Sequence, residues 1–372
     1  HADFLRDFRG DTIHPSTLEV LYELGLLEEF LKRPHQVVKE IGGYVGSEQI
    51  TVADFTHLPT HCRYIALMPQ WHFLNFLSDH ARQYPRFHLR MECEVVGLLE
   101  DGGRVVGVRA NSRGRSLEVL APVTIGADGR RSTVRALAKL EVDDLGSPID
   151  VLWMRLSRRP DDPEQTLGYF HRGRILIMLN REDYWQCGFV IHKGGSDEIH
   201  QRGLDSFREA IVEIVPFMRD RVAELHDWDD IKLLTVCIDR LRRWYRDGLL
   251  CIGDAAHAMS PVGGVGINLA IQDAVAAANL LASPLRRRAV TTNDFRKVQR
   301  RRQFPTRMTQ RLQVFVQNRV IGRVLAGGEQ LRPPLPLRLL RRFPVLRRIP
   351  ARVVGMGFRP EHVQTPAVSK TD

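Results

Sequence analysis

The chain has no CxxC pair among its five cysteines, Cys62, Cys93, Cys187, Cys237 and Cys251, and the odd total argues against both a disulfide framework and a structural zinc site. It has no HExxH, no GxSxG and no cluster of metal-ligating side chains, so neither a zinc hydrolase centre nor an elbow nucleophile is expected. A signal peptide is missing, and no uninterrupted apolar run reaches about 18 residues, so no membrane-spanning helix is expected. Internal repeats and low-complexity linkers are also absent. The simplest compartment for such a chain is a reducing cytoplasm.

What is present is ordinary in bulk and uneven in charge. Over 372 residues, 43% are hydrophobic and 26% charged, which suits a globular protein with a large core and, by length, two domains. The net charge of +10 is not spread evenly. Residues 286–372 hold 21 Lys and Arg against 4 Asp and Glu, which leaves the first 285 residues at −7. An acidic main body without a basic, aromatic-interleaved stripe argues against nucleic-acid binding. Within the tail, "LPLRLLRRFPVLRRIPARVVGMGF" (335–358) mixes apolar residues, arginines and three prolines. It is expected to form short broken amphipathic segments that either pack on the body or touch a membrane surface.

Periodicity gives the rest of the frame. "TIHPSTLEVLYELGLLEEFL" from Thr12 reads as two short helices broken at Gly25, and "MPQWHFLNFLSDHARQ" as another amphipathic helix. "FHLRMECEVVGLLEDGGRVVGVRA" and "SLEVLAPVTIGADG" read as a β-meander with its turn at Asp101, Gly102 and Gly103, ending in a strand that runs into "GADGRRSTVRALA". From Ile149 to Asp239 aromatic-rich strands with Gly or Asp turns predict an antiparallel sheet, followed by one helix over about 204–224. After it the chain returns to α/β character. The expected organisation is an α/β domain from 1–148 and 240–290, an inserted antiparallel domain over 149–239 and a basic helical region over 291–372.

The most informative stretch is "GLLCIGDAAHAMSPVGGVGINLAIQDAVAAANLL". An apolar strand delivers Gly253 and Asp254 at its end, and Gly263, Gly264 and Gly266 then lead into a helix. Such a turn aims backbone N–H groups and a positive helix end at a ligand. An aspartate only accepts, so Asp254 suits the hydroxyls of a polyol better than a phosphate. A ligand with hydroxyls beside an electron-rich ring edge satisfies both halves.

The match extends well beyond the glycines. "GDAAHAMSPVGGVGINLAIQDA" resembles the second FAD-binding motif of the flavoprotein aromatic hydroxylases, the family of para-hydroxybenzoate hydroxylase and the ubiquinone-biosynthesis hydroxylases. "GADGRRSTVRALA" is similar to that family's Asp-Gly motif, and "FRGDTIHPSTLEVLYELGL" and "MPQWHFLNFL" to its arginine-bearing first helix and its glutamine segment. The resemblance covers residues 1–310 in the family's order. It implies a Rossmann-like FAD domain interrupted by an antiparallel substrate domain. By position it assigns Asp254, after Gly253, to the ribitol hydroxyls. Gly264 belongs to the turn, and the backbone of Gly266, Ile267 and Asn268 is assigned to the pyrimidine edge of the flavin. Gln70 and Arg9 are assigned to the ribityl and pyrophosphate region, with Asp128, Gly129 and Arg131 near the pyrophosphate. Pro261 stiffens the loop at the flavin's reactive edge and is the catalytic-position candidate, whereas His257 is expected to hold the turn by hydrogen bonding.

One departure stands out. The family opens with a strand and a GxGxxG turn, and this sequence begins at "HADFLRDFRG", just past that point, so a longer protein is expected. The resemblance implies a monooxygenase in which NAD(P)H reduces FAD, O2 forms a flavin hydroperoxide, and oxygen passes to an aromatic or similarly electron-rich apolar substrate. Tyr169, Phe170, Trp185 and Phe189 are candidates for the substrate pocket or for sheet core. Two alternatives stay open. One is another FAD-dependent oxidoreductase, although the WxWxIP signature of the halogenases is absent. The other is a flavin-binding or membrane-associated protein without turnover; peripheral membrane contact through the basic tail is a separate expectation for either.

Overall fold

The computed structural model describes residues 2–4, 12–327 and 333–367. Its α/β half is organised by a pairing between strands distant in sequence. Thr124–Gly126 runs parallel to Leu249–Cys251, with Leu250 opposite Ile125 and Cys251 opposite Gly126. All three residues of Leu249–Cys251 are buried, as in a strand covered on both faces. The "GADG" and "IGDA" segments therefore leave the sheet side by side at the carboxyl ends of parallel strands, where ligands bind in open α/β sheets. Beneath them, Trp244, Leu249 and Leu250 pack with Ala277 and Leu281 of the helix Gly266–Arg286 and with Phe295 and Val298 of the helix Thr292–Val316.

Gly266–Arg286, with the turn before it, is apolar enough by composition to cross a membrane. The unbroken-run criterion passes over it because Asn268, Gln272 and Asp273 interrupt the sequence. Here Leu269, Ala276, Ala277 and Leu281 are buried inside the protein, together with those three polar residues.

The expected meander forms from Cys93–Asp101, Arg104–Ser112 and Arg115–Leu120, with Gly102 and Gly103 at positive φ in its first turn. The helices Pro15–Glu23 and Leu27–Leu31 break at Gly25, and Gln70–Ala81 packs Phe73 and Phe76 against Phe30.

The second half is a seven-stranded sheet. Its order is Lys232–Leu234, Ile149–Ser157, Tyr184–His192, Arg174–Asn180, Leu167–His171, Glu40–Val45 and Glu48–Asp54. The last two strands come from outside the expected 149–239 segment, and Leu167–Phe170 pairs with Gly42–Val45 in parallel. Alternation gives the sheet two different faces. On one, Leu152, Met154, Leu156, Trp185, Cys187 and Phe189 meet Phe207 and Ile211 of the helix Leu204–Ile214. The other carries Val151, Trp153, Phe170, Ile175, Ile177 and Val190 and meets Val262, Val316, Ile321 and Val324. The helix expected over 204–224 stops at Ile214 and continues as two 3-10 turns, because Pro216 cannot donate to the preceding turn.

The basic tail is split between docking and exposure. Ala351, Gly355 and Met356 pack on Phe55 and Leu58, and His14 Nδ1 donates to the Val354 carbonyl at 2.7 Å. Burial lowers the His14 pKa to about 4 although that bond pulls it upward, so the ring is neutral. Leu335, Leu339, Phe343, Val345 and Ile349 remain exposed.

Candidate functional site

The turn after Leu249–Cys251 demands glycine twice over. Gly253 has φ +58°, and a Cβ there would stand 3.0 Å from the Ala270 methyl of the long helix. Its N–H donates to Asp273 Oδ2 at 3.0 Å, and His257 Nε2 donates to the same oxygen at 2.6 Å. Asp273 Oδ1 accepts from Arg302 Nε at 2.9 Å, and Arg302 Nη1 reaches Glu361 Oε1 and the Arg359 carbonyl. Asp273 and Arg302 are both fully buried. Burial alone would raise the Asp273 pKa, but the charge and hydrogen bonds of His257 and Arg302 outweigh it and hold the carboxyl below its ordinary value. His257 thus braces the turn from behind, while Asp254, half-buried, follows Gly253 at the strand end.

The glycine turn is held from the other side. Gly263 and Gly264 have φ +80° and +62°, and a Cβ on Gly264 would lie 2.3 Å from Thr12 Oγ1, which donates to the Gly264 carbonyl. Asn268 uses its whole amide on protein partners. Its Oδ1 accepts from the His14 N–H and Thr17 Oγ1, and its Nδ2 donates to the carbonyls of Thr12 and Gly264. Only the Asn268 backbone is left to meet a ligand. Gly266 and Ile267 open a helix whose N-terminus has no side-chain cap, so its first N–H groups face outward with the positive helix end.

Pro261 is bracketed by a ladder of glutamines that sequence reading missed. Gln310 donates to the Asp239 and Ala258 carbonyls, and Gln317 Nε2 donates to Ser260 Oγ at 2.6 Å. Between them, Gln313 accepts from the Ser260 N–H and donates to the carbonyls of Ser260 and Val262. All three are buried. Their spacing of three and four residues, in a helix otherwise read as an arginine-rich surface, was the available signal.

The remaining candidates are less uniform. Asp128 lies at the end of the neighbouring parallel strand, but its carboxylate caps the helix Thr133–Leu137 by accepting from Ser132 Oγ and the Val134 N–H. Gly129, at φ +86°, has open space where a Cβ would be, and Arg131 is exposed. Gln70 is the first residue of its helix and half-buried. Arg9 lies outside the described residues. Of the four pocket candidates, only Phe170 is on the face that meets Val262. Tyr169 stacks on Tyr44, Trp185 donates to Asp162 at 2.9 Å, and Phe189 packs edge-on against Phe207. Trp185 and Phe189 are buried in the core under the helix-covered face, and half-buried Tyr169 packs against that core. Trp153 and Ile177 share that face with Phe170.

A family model described as FAD binding domain matches residues 1–312, and the chain belongs to that family. It is 36% identical over 358 residues to the 6-methylpretetramide 4-monooxygenase of Streptomyces rimosus, across 94% of this chain and 83% of that protein. Among solved structures it resembles pqsL of Pseudomonas aeruginosa, described as a probable FAD-dependent monooxygenase, with TM-score 0.73, 22% identity and coverage of 87% and 90%. It also resembles OxyS anhydrotetracycline hydroxylase of Streptomyces rimosus, with TM-score 0.71, 21% identity and coverage of 94% and 68%. At those identities the two structures establish the fold. The protein is an FAD-dependent oxidoreductase, a flavoprotein monooxygenase.

Two substitutions test the scaffold. Asp273→Asn should destabilise the protein by about 3–5 kcal/mol in urea unfolding, because it leaves the buried Arg302 poorly compensated. The folded carboxyl titrates below 3.8, so the difference should be full above that pH and shrink as pH falls further. Gln313→Leu should cost about 2–4 kcal/mol by leaving buried Ser260 and Val262 groups unpaired. A loss under about 0.5 kcal/mol would show that the ladder holds nothing.

Proposed function

We propose that the protein hydroxylates an electron-rich aromatic ring with O2, using NAD(P)H as electron donor to its FAD. The observation that supports this is the meeting of two surfaces at Pro261 and Val262: a glycine turn with an uncapped helix end on one side, and an apolar sheet face on the other. The residues fit the cofactor. Asp254 offers a carboxylate to ribitol hydroxyls, and the Gly266 and Ile267 N–H groups offer donors and a positive helix end to the ring edge. FAD, when bound, supplies the redox and oxygen-activating chemistry. The chain's part is to stabilise negative charge at that ring edge, keep water out with Val262 and the sheet face, and fix the loop's path through Pro261. No side chain is assigned as a base.

In the full-length protein, Asp254→Ala should raise the FAD dissociation constant about tenfold to a hundredfold, as expected for losing hydrogen bonds to a charged group. With 18O2, one labelled oxygen atom should enter the product while NADH or NADPH is consumed. Peroxide as the sole oxygen product would defeat the hydroxylase reading.

The tail supports a further partner. Exposed Leu335, Leu339, Phe343, Val345 and Ile349 alternate with Arg338, Arg341, Arg342, Arg347 and Arg348, a pattern suited to an anionic lipid surface. Each arginine there contributes about 1 kcal/mol. Full-length protein should sediment with anionic but not neutral vesicles at low salt, and replacing Leu335, Leu339 and Phe343 with Ser should abolish this. Equal sedimentation of the variant would make the tail a structural strap only.

A further inference from the structure

The C-terminal segment 351–364 is tied to both glycine turns of the site by separate routes. The first runs through His14. Its ring donates from Nδ1 to the Val354 carbonyl at 2.7 Å, its backbone N–H donates to Asn268 Oδ1 at 3.0 Å, and Asn268 Nδ2 donates to the Gly264 carbonyl at 3.2 Å. The second runs through Arg302. Glu361 Oε1 accepts from Arg302 Nη1 at 3.1 Å, Arg302 Nε donates to Asp273 Oδ1 at 2.9 Å, and Asp273 Oδ2 accepts from the Gly253 N–H at 3.0 Å. The Val354 route ends on the turn before the long helix, and the Glu361 route on the turn that carries Asp254.

The same segment joins the helices on which those routes depend. A Cβ on Gly355 would stand 2.8 Å from Leu58 Cδ1, 3.2 Å from Phe55 Cδ1 and 3.3 Å from Pro15 Cγ, so at this residue the tail's backbone lies directly against the start of helix Pro15–Glu23. Near the other end of that helix, the Val363 N–H donates to Glu23 Oε2 at 2.7 Å. Asn279 of the long helix donates to the His362 carbonyl at 2.8 Å and accepts from the Gln364 N–H at 2.9 Å. Helices Pro15–Glu23 and Gly266–Arg286 are thus joined twice, once through Asn268 at their first turns and once farther along through the tail. Gly253 and Gly264 hold φ +58° and +62° inside this ring of contacts, and a glycine's own side chain cannot select such a conformation.

We infer that Glu361 and the Val354 carbonyl are positioning groups for the two turns, so that docking of residues 351–364 and binding of FAD form one coupled equilibrium. The inference rests on the reading that both turns meet FAD. Each group acts through intermediates, Glu361 through Arg302 and Asp273, and Val354 through His14 and Asn268. Coupling of this kind is reciprocal: the factor by which the docked segment tightens FAD is the factor by which FAD must suppress undocking.

The test is amide hydrogen exchange in the full-length protein with and without FAD, read at Val363 and Gln364, whose N–H groups donate to Glu23 and Asn279 across elements. FAD should slow exchange at these two amides roughly tenfold, within the usual range of coupling between sites. The comparison is with amides of the meander pairing Arg104–Ser112 with Arg115–Leu120, which report global stabilisation by the ligand. Glu361→Ala should speed exchange at both amides and raise the FAD dissociation constant by a similar factor, about tenfold, whereas Glu361→Gln, which keeps an acceptor for Arg302, should restore most of both. Gly355→Val, which pushes the backbone off Leu58 and Phe55 and alters no hydrogen-bonding side chain, should reproduce the paired change. A segment that only supports the fold would be protected by FAD no more than the meander is. That result in the unmutated protein, which needs no variant to fold, overturns the inference. So does an unchanged FAD affinity in Glu361→Ala when Asp254→Ala weakens binding; unchanged affinity in both variants overturns the reading of the turns and the inference with it.

Discussion

The site depends on one buried carboxylate. Asp273 sits with no solvent access on the helix behind the Gly253–Asp254 turn, and it takes hydrogen bonds from the Gly253 backbone, His257 and Arg302. An isolated buried carboxylate is prohibitively unfavourable, so these partners must be in place for the fold to form. Arg302 is equally buried and brings Glu361 with it from the far end of the chain. The cofactor turn, the long helix and the C-terminal tail are therefore fixed by a single charge chain.

The same logic applies wherever the backbone is permissive. Glycine-rich turns have many accessible conformations, and their own side chains cannot choose among them. The choice comes from outside: Asn268 and Thr12 fix Gly264, Asp273 fixes Gly253, and the glutamines fix the loop from Ala258 to Val262. Amides suit that task because each offers both donors and an acceptor to a backbone that needs both.

Much of this half was readable from local pattern. Strand, Asp254, glycines and helix succeed each other within one short segment, so order and spacing alone place the turn, and the meander announces itself through Asp101, Gly102 and Gly103. The features that escaped were long-range or two-sided. Arg302 meets Asp273, and Glu361 in turn meets Arg302, across large stretches of chain, and nothing local marks a buried arginine in a run of arginines. Alternation fixes that Tyr169 and Phe170 face opposite ways, but not which of them faces the helix. Trp185 and Phe189 share one parity, and the helix Leu204–Ile214 covers that side. The entry of Glu40–Asp54 into the sheet was invisible because its parallel contact depends on Gly43 and Gly168 touching through backbone.

The two halves are set at a fixed separation by one helix. Gln310 and Gln313 on Thr292–Val316 grip the loop, while Val316 presses on the sheet face. At Gln317–Ile321 the helix becomes a π turn. An extra residue in a turn rotates the succeeding residues by about 100° relative to a regular helix. Gln317, where that turn begins, still reaches Ser260 at regular helical spacing from Gln313, and beyond it Ile321, Val324 and Leu325 pack with Val151, Ile175 and Val190. The element that positions Pro261 thus also packs against the sheet face.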